Sequence, residues 1–396
     1  MRIALTIHSL DGGGAERVLC HLAQRWAMLG HQVHVITWSA QSSDSIPLSS
    51  VSPSSNLQQH GLDLAQPSRN VWQGVLANRR RVRALRAKLR QLQPEVVLSF
   101  CDQMNISTLQ AARGLGIPVW IAERNDPAEQ KLSRLWELWR RATYPQCSGC
   151  VVQTVAIADY LSRLIPRQRI CVIPNAVEIA ASDAQPSEGD LDCGESSDDG
   201  GPEGLDCGES SDGKTRLKTI LAVGRLSHQK GFDVLLTAWQ QTQDELPDWQ
   251  LRIVGDGPQR LELEQRAAKL ARVHFTGWLE QTNAAYAQSQ LFVLSSRYEG
   301  FPNALLEAMS HALPCIATNC SQAIDELSRS GSAIHTVPID DSNALAMAIR
   351  QLAESAALSA SLGCAAQQVS RDYSWDRIGP MWDKILMKGC HEQVQV

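Results

Sequence analysis

The sequence lacks any long apolar run. No stretch of its 396 residues approaches the roughly 18 consecutive apolar residues that a membrane-spanning helix needs. The apolar segment inside MRIALTIHSLDGGG is too short for a signal peptide, and no small-residue cleavage site follows it. We therefore expect a first β-strand there and a protein of the cytoplasm. With 43% hydrophobic and 20% charged residues, the composition is that of a globular chain long enough for two domains.

The eleven cysteines lack a spacing framework, which, with no export signal, favours reduced thiols. The one Cys-x-x-Cys, Cys147 to Cys150, has no second pair or nearby His pair, so buried thiols are a better interpretation than a zinc site. An Asp-x-Asp occurs at Asp190 and Asp192, but no rigid strand end would hold it for metal binding. We expect no metal and no cofactor.

Acidic residues are scarce in the first half of the chain and concentrated in one segment. Residues 1–181 are net basic, whereas residues 182–214 carry eleven acids and one lysine. That segment contains LDCGESSD twice and consists mostly of Gly, Ser, Asp and Glu, so it cannot bury a core. We predict a disordered acidic insert or linker at 182–214.

On both sides of the insert, short apolar runs alternate with segments of helical periodicity. This alternation predicts an α/β fold with parallel sheets covered by helices, hence two Rossmann-like domains facing across a cleft. We expect an N-terminal domain at 1–181, a C-terminal domain at 215–370 and a helix at 371–396 that crosses back to the first domain. The predicted strands are RIALTI, QVHVIT, EVVLSF, PVWIAE, GCVVQT and ICVIPN, then KTILAVG, WQLRIVG, RVHFTG, LFVLSS, PCIAT and AIHTV.

Asp11-Gly-Gly-Gly-Ala-Glu16 follows the first strand and opens a helix. Such a loop lets backbone approach a phosphate at a helix N-terminus. The dinucleotide fingerprint is absent, because the third glycine is out of register and VHVITWS has no acid for a ribose, so NAD binding is disfavoured. A bare turn is an equally good interpretation of this loop alone.

Two cations, Arg225 and Lys230, follow the strand KTILAVG in the second half. At the carboxyl end of a parallel strand they can reach a diphosphate in the cleft, Arg as a bidentate fork and Lys as a point charge. Two solvated loop cations are the ordinary alternative, which this motif alone favours.

Glu299 and Glu307 flank a Gly-Phe-Pro-Asn turn between the strand LFVLSS and the helix ALLEAMSHA. A helix start here would direct the amides of Asn303, Ala304 and Leu305 at an anion. Glu307, one turn inward, could hold a ribose diol, and Glu299 could accept hydrogen bonds from sugar hydroxyls. The pattern indicates a nucleotide sugar bound between two carboxylates.

Glu-x7-Glu around GFPN, together with GRLxxxKG and VGDGP, resembles the retaining glycosyltransferases of family 4, which have the GT-B fold. The resemblance covers the chain except the acidic insert. It implies that Arg225 and Lys230 bind the donor diphosphate, that Glu299 contacts the donor sugar and that Glu307 holds the ribose. It also implies that Gly13 and Gly14 close over the diphosphate, that Gly300, Phe301, Pro302, Asn303, Ala304 and Leu305 line sugar and phosphates, and that Trp278 and Leu279 lie in the base-contacting loop.

The basic first half of the sequence indicates the kind of acceptor that receives the sugar. NRRRVRALRAKLRQLQ holds seven cations and no acid, and EQKLSRLWELWRRATY places Leu132, Leu135, Trp136 and Trp139 on one stripe. Basic helices with Leu and Trp suit an anionic membrane, although a solvated basic helix packed on its own sheet is an equally good interpretation. ERNDP, with Arg124 and Asp126, resembles a segment of bacterial enzymes that extend lipid-linked oligosaccharides or exopolysaccharides. Lys131 and Arg134 complete the predicted acceptor or membrane set.

We therefore expect a lipid-linked saccharide acceptor on the inner face of the cell membrane and a UDP-linked hexose or N-acetylhexosamine donor in preference to GDP-mannose. Nucleic acid is disfavoured, because no aromatic-studded basic groove accompanies the charge. The alternatives are a nucleotide-sugar epimerase of the same shape and a non-catalytic nucleotide-sugar sensor. A phosphorylase using pyridoxal phosphate is less favoured, because no lysine has a recognisable cofactor context.

Overall fold

The computed structural model describes residues 1–11, 13–40, 56–65, 71–128, 130, 132–179 and 217–391. The predicted acidic insert and Lys131 lie outside these residues.

The first half contains β1 (Arg2–Ile7), α1 (Gly14–Met28), β2 (Gln32–Thr37), β3 (Leu57–Gly61), α2 (Val71–Leu92), β4 (Val96–Phe100), α3 (Asp102–Ala112), β5 (Val119–Ala122), α4 (Arg134–Thr143), β6 (Gly149–Val152), α5 (Val155–Leu161) and β7 (Ile170–Val172). The second half contains β8 (Lys218–Val223), α6 (Phe232–Thr242), β9 (Trp249–Val254), α7 (Arg260–Ala267), β10 (Val273–Gly277), α8 (Asn283–Ala287), β11 (Leu291–Leu294), α9 (Asn303–Ser310), β12 (Cys315–Thr318), α10 (Gln322–Ser328), β13 (His335–Val337), α11 (Ser342–Glu354), α12 (Ala356–Asp372) and α13 (Trp375–His391).

Both sheets are parallel throughout their described strands. The first has the order β3-β2-β1-β4-β5-β6-β7 and the second β10-β9-β8-β11-β12-β13. In each, the order reverses beside the first strand of the half, which is where ligands bind in doubly wound sheets. The predicted fold class is confirmed. Strand β3 was missed, because LQQHG is a half-exposed edge strand without an apolar run.

Each sheet is covered on both faces by apolar side chains, which explains the continuous apolar character of its strands. Gly30, directly after α1, has φ +85°, a left-handed conformation that glycine adopts without strain and that ends the helix. Gly231 has φ +63° between a short 3₁₀ turn and α6, where an added Cβ would overlap the carbonyl of Ser295.

The last helix, α13, packs on the first domain. Ile378, Trp382, Ile385 and Leu386 belong to the apolar cluster on one face of the first sheet. Asp383 accepts hydrogen bonds from Arg25 Nη2 at 2.7 Å and from Trp26 Nε1 at 2.9 Å. The two chain crossings between the domains run side by side, since Val177 donates its amide proton to Tyr373 O at 2.9 Å.

The Asp383 contacts predict a stability effect. Replacing Asp383 by Ala leaves the indole and the guanidinium without their shared acceptor, which costs about 2 kcal/mol and lowers the unfolding midpoint by about 2 °C. Differential scanning calorimetry measures the shift, and Lys384→Ala on the exposed side of α13 is the control. Equal midpoints for the two variants would show that Asp383 does not anchor the helix.

Candidate active site

A cleft of about 440 Å³ lies between the two domains at the carboxyl ends of β1, β4, β5, β8, β9 and β11. From the first domain it is lined by Gly13, Gly14, Glu16, Arg17, Cys101, Arg124, Asn125, Gln153 and Asn175. From the second it is lined by Gly224, Arg225, Lys230, Gly255, Asp256, Trp278, Leu279, Thr282, Glu299, Gly300, Phe301, Asn303, Ala304 and Glu307. The cleft therefore gathers both predicted carboxylates and both predicted cations.

Glu299 is buried with one of those cations. Its Oε1 accepts a hydrogen bond from Lys230 Nζ at 2.5 Å and from Ser296 Oγ at 2.7 Å, and the residue is 5% exposed. Lys230 is thus an ion-paired cation at the cleft wall. Arg225 is exposed, and its guanidinium makes no hydrogen bond to another described residue.

Glu307 is held by groups from both domains. Its Oε2 accepts from Tyr286 Oη at 2.9 Å and from Thr282 Oγ1 at 3.4 Å, and its Oε1 accepts from Arg17 Nη1 of α1 at 3.0 Å. Burial raises the pKa of Tyr286 well above its usual value, with the Glu307 charge adding to the effect, so the phenol stays a donor. The carboxylate therefore has a fixed orientation at the cleft.

The turn before α9 differs in detail from the sequence expectation. The amides of Asn303 and Leu305 donate to Phe301 O and Pro302 O, each at 3.1 Å, so they are not free to bind an anion as predicted. The amides of Gly300, Phe301 and Ala304 make no hydrogen bond to another described residue. These three amides are the free donors of the turn. Pro302 is the N-cap residue, and Leu305 is fully buried below the helix start.

The first domain contributes the glycine loop. Gly13 is the N-cap residue of α1, and an added Cβ there would overlap the carboxylate of Glu16. Gly14 lies against the side-chain amide of Asn303, so the two domains meet at this point without room for a Cβ. Burial raises the pKa of Glu16, and the charge of Arg225 opposes that shift.

Several predicted acceptor residues are not on an outer surface. Arg124 is 6% exposed at the cleft floor, where its guanidinium lies over Phe100 and Trp382, so of the predicted acceptor or membrane contacts only a contact inside the cleft agrees with its burial. Asp126 is half-buried and accepts the amide proton of Ala128 at 2.8 Å, as in a turn.

The predicted Leu/Trp stripe of α4 is also used for packing. Leu132, Trp136 and Trp139 pack against the apolar cluster of the first domain, with the two indoles 5.1 Å apart edge to face. This packing favours the alternative of a basic helix packed on its own sheet, and a membrane contact of the half-buried Trp136 and Trp139 stays a prediction. Leu135 is half-buried, whereas Arg134 and Arg141 are exposed.

Sequence reasoning missed several cleft-lining residues, among them Glu16, Arg17, Gln153, Asn175 and Thr282, and also the buried Tyr286 that donates to Glu307. Glu16 and Arg17 directly follow the glycine loop, and Asn175 ends the segment ICVIPN, so position after a strand could have indicated them. No described group of His, Cys, Asp and Glu could hold a metal ion. Cys147 and Cys150 are buried thiols whose pKa values burial raises.

A fold of two parallel domains with carboxylates, cations and free amides converging on the intervening cleft defines a GT-B enzyme that uses an activated sugar. Family models agree. The model Glycosyltransferase Family 4 matches residues 12–181, and the model Glycosyl transferases group 1 matches residues 217–355. The chain belongs to the family 4, group 1 glycosyltransferases, which are retaining enzymes.

Individual relatives are similar along the chain. A Campylobacter jejuni GalNAc-α-(1→4)-GalNAc-α-(1→3)-diNAcBac-PP-undecaprenol α-1,4-N-acetyl-D-galactosaminyltransferase is 26% identical over 390 residues, 98% of each chain. The amylovoran biosynthesis glycosyltransferase AmsD of Erwinia amylovora is 32% identical over 170 residues, 42% of this chain and 47% of AmsD. The crystal structure of Anabaena Alr3699/HepE in complex with UDP and glucose superposes with a TM-score of 0.74 at 17% identity, covering 97% of this chain and 99% of HepE.

The Glu123 carboxyl, next to Arg124, predicts a pH effect on stability. It is 2% exposed and accepts a hydrogen bond from Tyr144, and burial raises its pKa to about 7, with Arg140 opposing the shift. The folded chain keeps this proton to about pH 7, whereas the unfolded chain loses it near its ordinary value of 4.5. Its stabilising contribution is therefore full below pH 4.5 and is lost as the pH rises through 7.

Glu123→Gln keeps an acceptor for Tyr144 and removes that proton. We expect its stability relative to the unsubstituted protein to rise between pH 5 and pH 8 by about 3 kcal/mol. Denaturant unfolding at both pH values measures the difference, with the exposed Glu262→Gln as control. A constant difference between pH 5 and 8 would contradict the raised pKa.

Proposed function

We propose that this glycosyltransferase moves a hexose or N-acetylhexosamine from a UDP-linked donor to a hydroxyl of a lipid-linked saccharide at the inner face of the cell membrane. The observation that carries the proposal is one cleft lined by Glu299, Glu307, Arg225, Lys230 and the start of α9. Such a cleft offers two kinds of binding group, since cations and amides suit a diphosphate and carboxylates suit hydroxyls.

The donor would bind along the second domain. The free amides of Gly300, Phe301 and Ala304 and the exposed Arg225 would bind the diphosphate, and Glu307 would accept hydrogen bonds from the ribose. Trp278, 45% exposed at the cleft, and Leu279 would contact the base. The HepE structure contains UDP and glucose, which supports UDP as the carrier here.

Transfer would break the bond between C1 of the sugar and the phosphate oxygen. Fixed cations and amides stabilise the charge that develops on the leaving diphosphate. The acceptor hydroxyl would attack C1 on the face that the diphosphate leaves, and the leaving phosphate would take its proton. The buried Glu299 beside Lys230 would stabilise positive charge on the sugar and hold one of its hydroxyls.

The role of Glu299 is testable by an isosteric change. Glu299→Gln keeps an acceptor for Ser296 and removes the charge, so we expect transfer to fall at least about 100-fold while donor affinity changes less. A thermal-shift panel of UDP- and GDP-sugars identifies the donor, and mass spectrometry of products on polyprenyl-diphosphate-linked glycans gives the rate.

Glu354→Gln, an exposed carboxylate at the end of α11, is the matched control and should transfer at the unsubstituted rate. Undiminished transfer by Glu299→Gln would remove Glu299 from the mechanism. Donor turnover that is equally fast without acceptor would indicate an epimerase or hydrolase, and donor binding without turnover would indicate a sensor.

A lipid-linked acceptor agrees with the exposed charge of α2. The printed name of the Campylobacter relative describes an undecaprenol-linked acceptor. On α2 of this chain Arg79, Arg80, Arg83 and Arg90 are exposed, whereas Arg81 packs over Trp38. Within the described chain no helix combines the length and the apolar character needed to cross a bilayer. We therefore propose attachment to anionic headgroups through α2 and through Arg134 and Arg141 of α4.

Flotation with phosphatidylglycerol vesicles at low salt tests this attachment. Replacing Arg79, Arg80 and Arg83 by Gln removes three charges, each worth about 1 kcal/mol near an anionic surface, so binding should fall at least about 30-fold. The control replaces Lys269, Arg371 and Lys384 by Gln, an equal change of charge on exposed positions elsewhere. Similar flotation of the two triple variants would show that α2 is not the membrane-binding face.

A further inference from the structure

A chain of polar side chains crosses from the first domain to the start of α9. Arg124, Gln153 and Asn175 of the first domain are 6%, 2% and 2% exposed. Arg124 Nη2 and Gln153 Nε2, the latter at 2.9 Å, both donate to Asn175 Oδ1. Asn175 Nδ2 in turn donates to Oδ1 of Asn303, the first residue of α9. The chain thus links the floor of the cleft to the helix start.

The guanidinium of Arg124 sets the donor-to-acceptor direction of this series of hydrogen bonds. Arg can only donate, and although burial lowers the pKa of Arg124 to about 10, it stays protonated at neutral pH. Asn175 must therefore turn its oxygen toward Arg124, because the opposite rotamer would set an NH₂ against a buried guanidinium. Its Nδ2 then faces Asn303, which must accept that hydrogen bond with its own side-chain oxygen. Each amide in the chain is oriented by the residue before it.

The orientation leaves the Asn303 Nδ2 group on the cleft side. An added Cβ on Gly14 would overlap that nitrogen, so it lies beside the glycine loop. No acceptor among the described residues takes a hydrogen bond from it, although Asn303 lines the cleft. Beside it in the same turn are the free amides of Gly300 and Ala304.

Gly300, in the turn before α9, lies against the hydrogen-bonded side chains of the first domain. An added Cβ there would lie 2.8 Å from Gln153 Oε1 and 2.9 Å from Arg124 O. The side-chain atoms Arg124 Nε and Nη1 are buried without a hydrogen-bond partner among the described residues. Among the described residues no carboxylate pairs with Arg124, and the one side-chain hydrogen bond that it makes there goes to Asn175.

We propose that Arg124 is a positioning residue that acts through Asn175 to hold the side-chain NH₂ of Asn303 toward the cleft, where it donates to an oxygen of the leaving diphosphate. The inference rests on the proposed donor site and adds to it a side-chain donor whose direction the first domain sets. In consequence, the first domain, proposed to carry the acceptor, helps to bind the leaving group of a donor that lies along the second domain.

A double-mutant cycle tests the coupling without changing any charge. Asn175→Leu removes the middle of the chain, and Asn303→Ala removes its end. We expect Asn175→Leu to weaken binding of UDP and of inorganic pyrophosphate about tenfold by calorimetry in the unsubstituted background, and less than about twofold in the Asn303→Ala background. Binding of uridine, which has no phosphate, should change less than about twofold in every variant.

Arg124 is tested by two replacements. Arg124→Lys keeps a donor-only cation and should stay within about threefold of the unsubstituted affinity for pyrophosphate, whereas Arg124→Gln can present either end and should lose about tenfold. If Asn175→Leu also loses uridine binding, it has disturbed the fold, and the Arg124→Gln and Asn303→Ala cycle decides instead.

The outcomes separate the two proposals. An unsubstituted protein that binds neither UDP nor pyrophosphate would overturn the proposed donor site, and the inference with it. A protein that binds both, but in which Asn175→Leu costs nothing or costs the same after Asn303→Ala, would overturn the inference alone.

Discussion

The arrangement of the cleft depends on the unmade hydrogen bonds at the start of α9. A helix leaves its first amides without intrahelical acceptors, and here the carbonyls of Phe301 and Pro302 accept hydrogen bonds from some of them within the turn. The remaining donors of Gly300, Phe301 and Ala304 lie between Glu299 and Glu307. Amide donors without acceptors in the described protein can stabilise an anion without moving the backbone, which is what the proposed leaving diphosphate requires.

Each carboxylate beside this helix start is bonded to one cation and to at least one hydroxyl group. Glu299 is paired with Lys230 inside the second domain, so its charge is compensated before any substrate arrives. Glu307 is paired across the cleft with Arg17 of the first domain and is also bonded to Tyr286. Contact between the domains therefore adds Arg17 to the groups that orient the carboxylate proposed for the ribose, and separation of the domains would leave it bonded to Tyr286 and Thr282 alone.

Much of the fold and of the candidate site could be predicted from the sequence, because both depend on local patterns. Apolar runs predicted twelve strands at or near their observed positions, and the two-domain fold follows from their alternation with helices. Glu299, Glu307, Arg225 and Lys230 were named from their place after β8 and β11. The edge strand β3 was not readable, because Leu57–Gly61 has no apolar signal. The hydrogen bonding of the turn depends on its own backbone angles, which GFPN does not specify.

Arg124 shows why the remaining features of the site could not be predicted from the sequence. In ERNDP it looks like a surface cation, and composition gives no reason to bury it. Its burial comes from three segments distant in sequence, Phe100 at the end of β4, Asn175 after β7 and Trp382 of α13, which meet only in the folded chain. The last helix of the protein therefore packs behind the residue that orients Asn303. A change in α13 that moves Trp382 would reach the proposed donor site through Arg124, although no described residue of that helix lines the cleft.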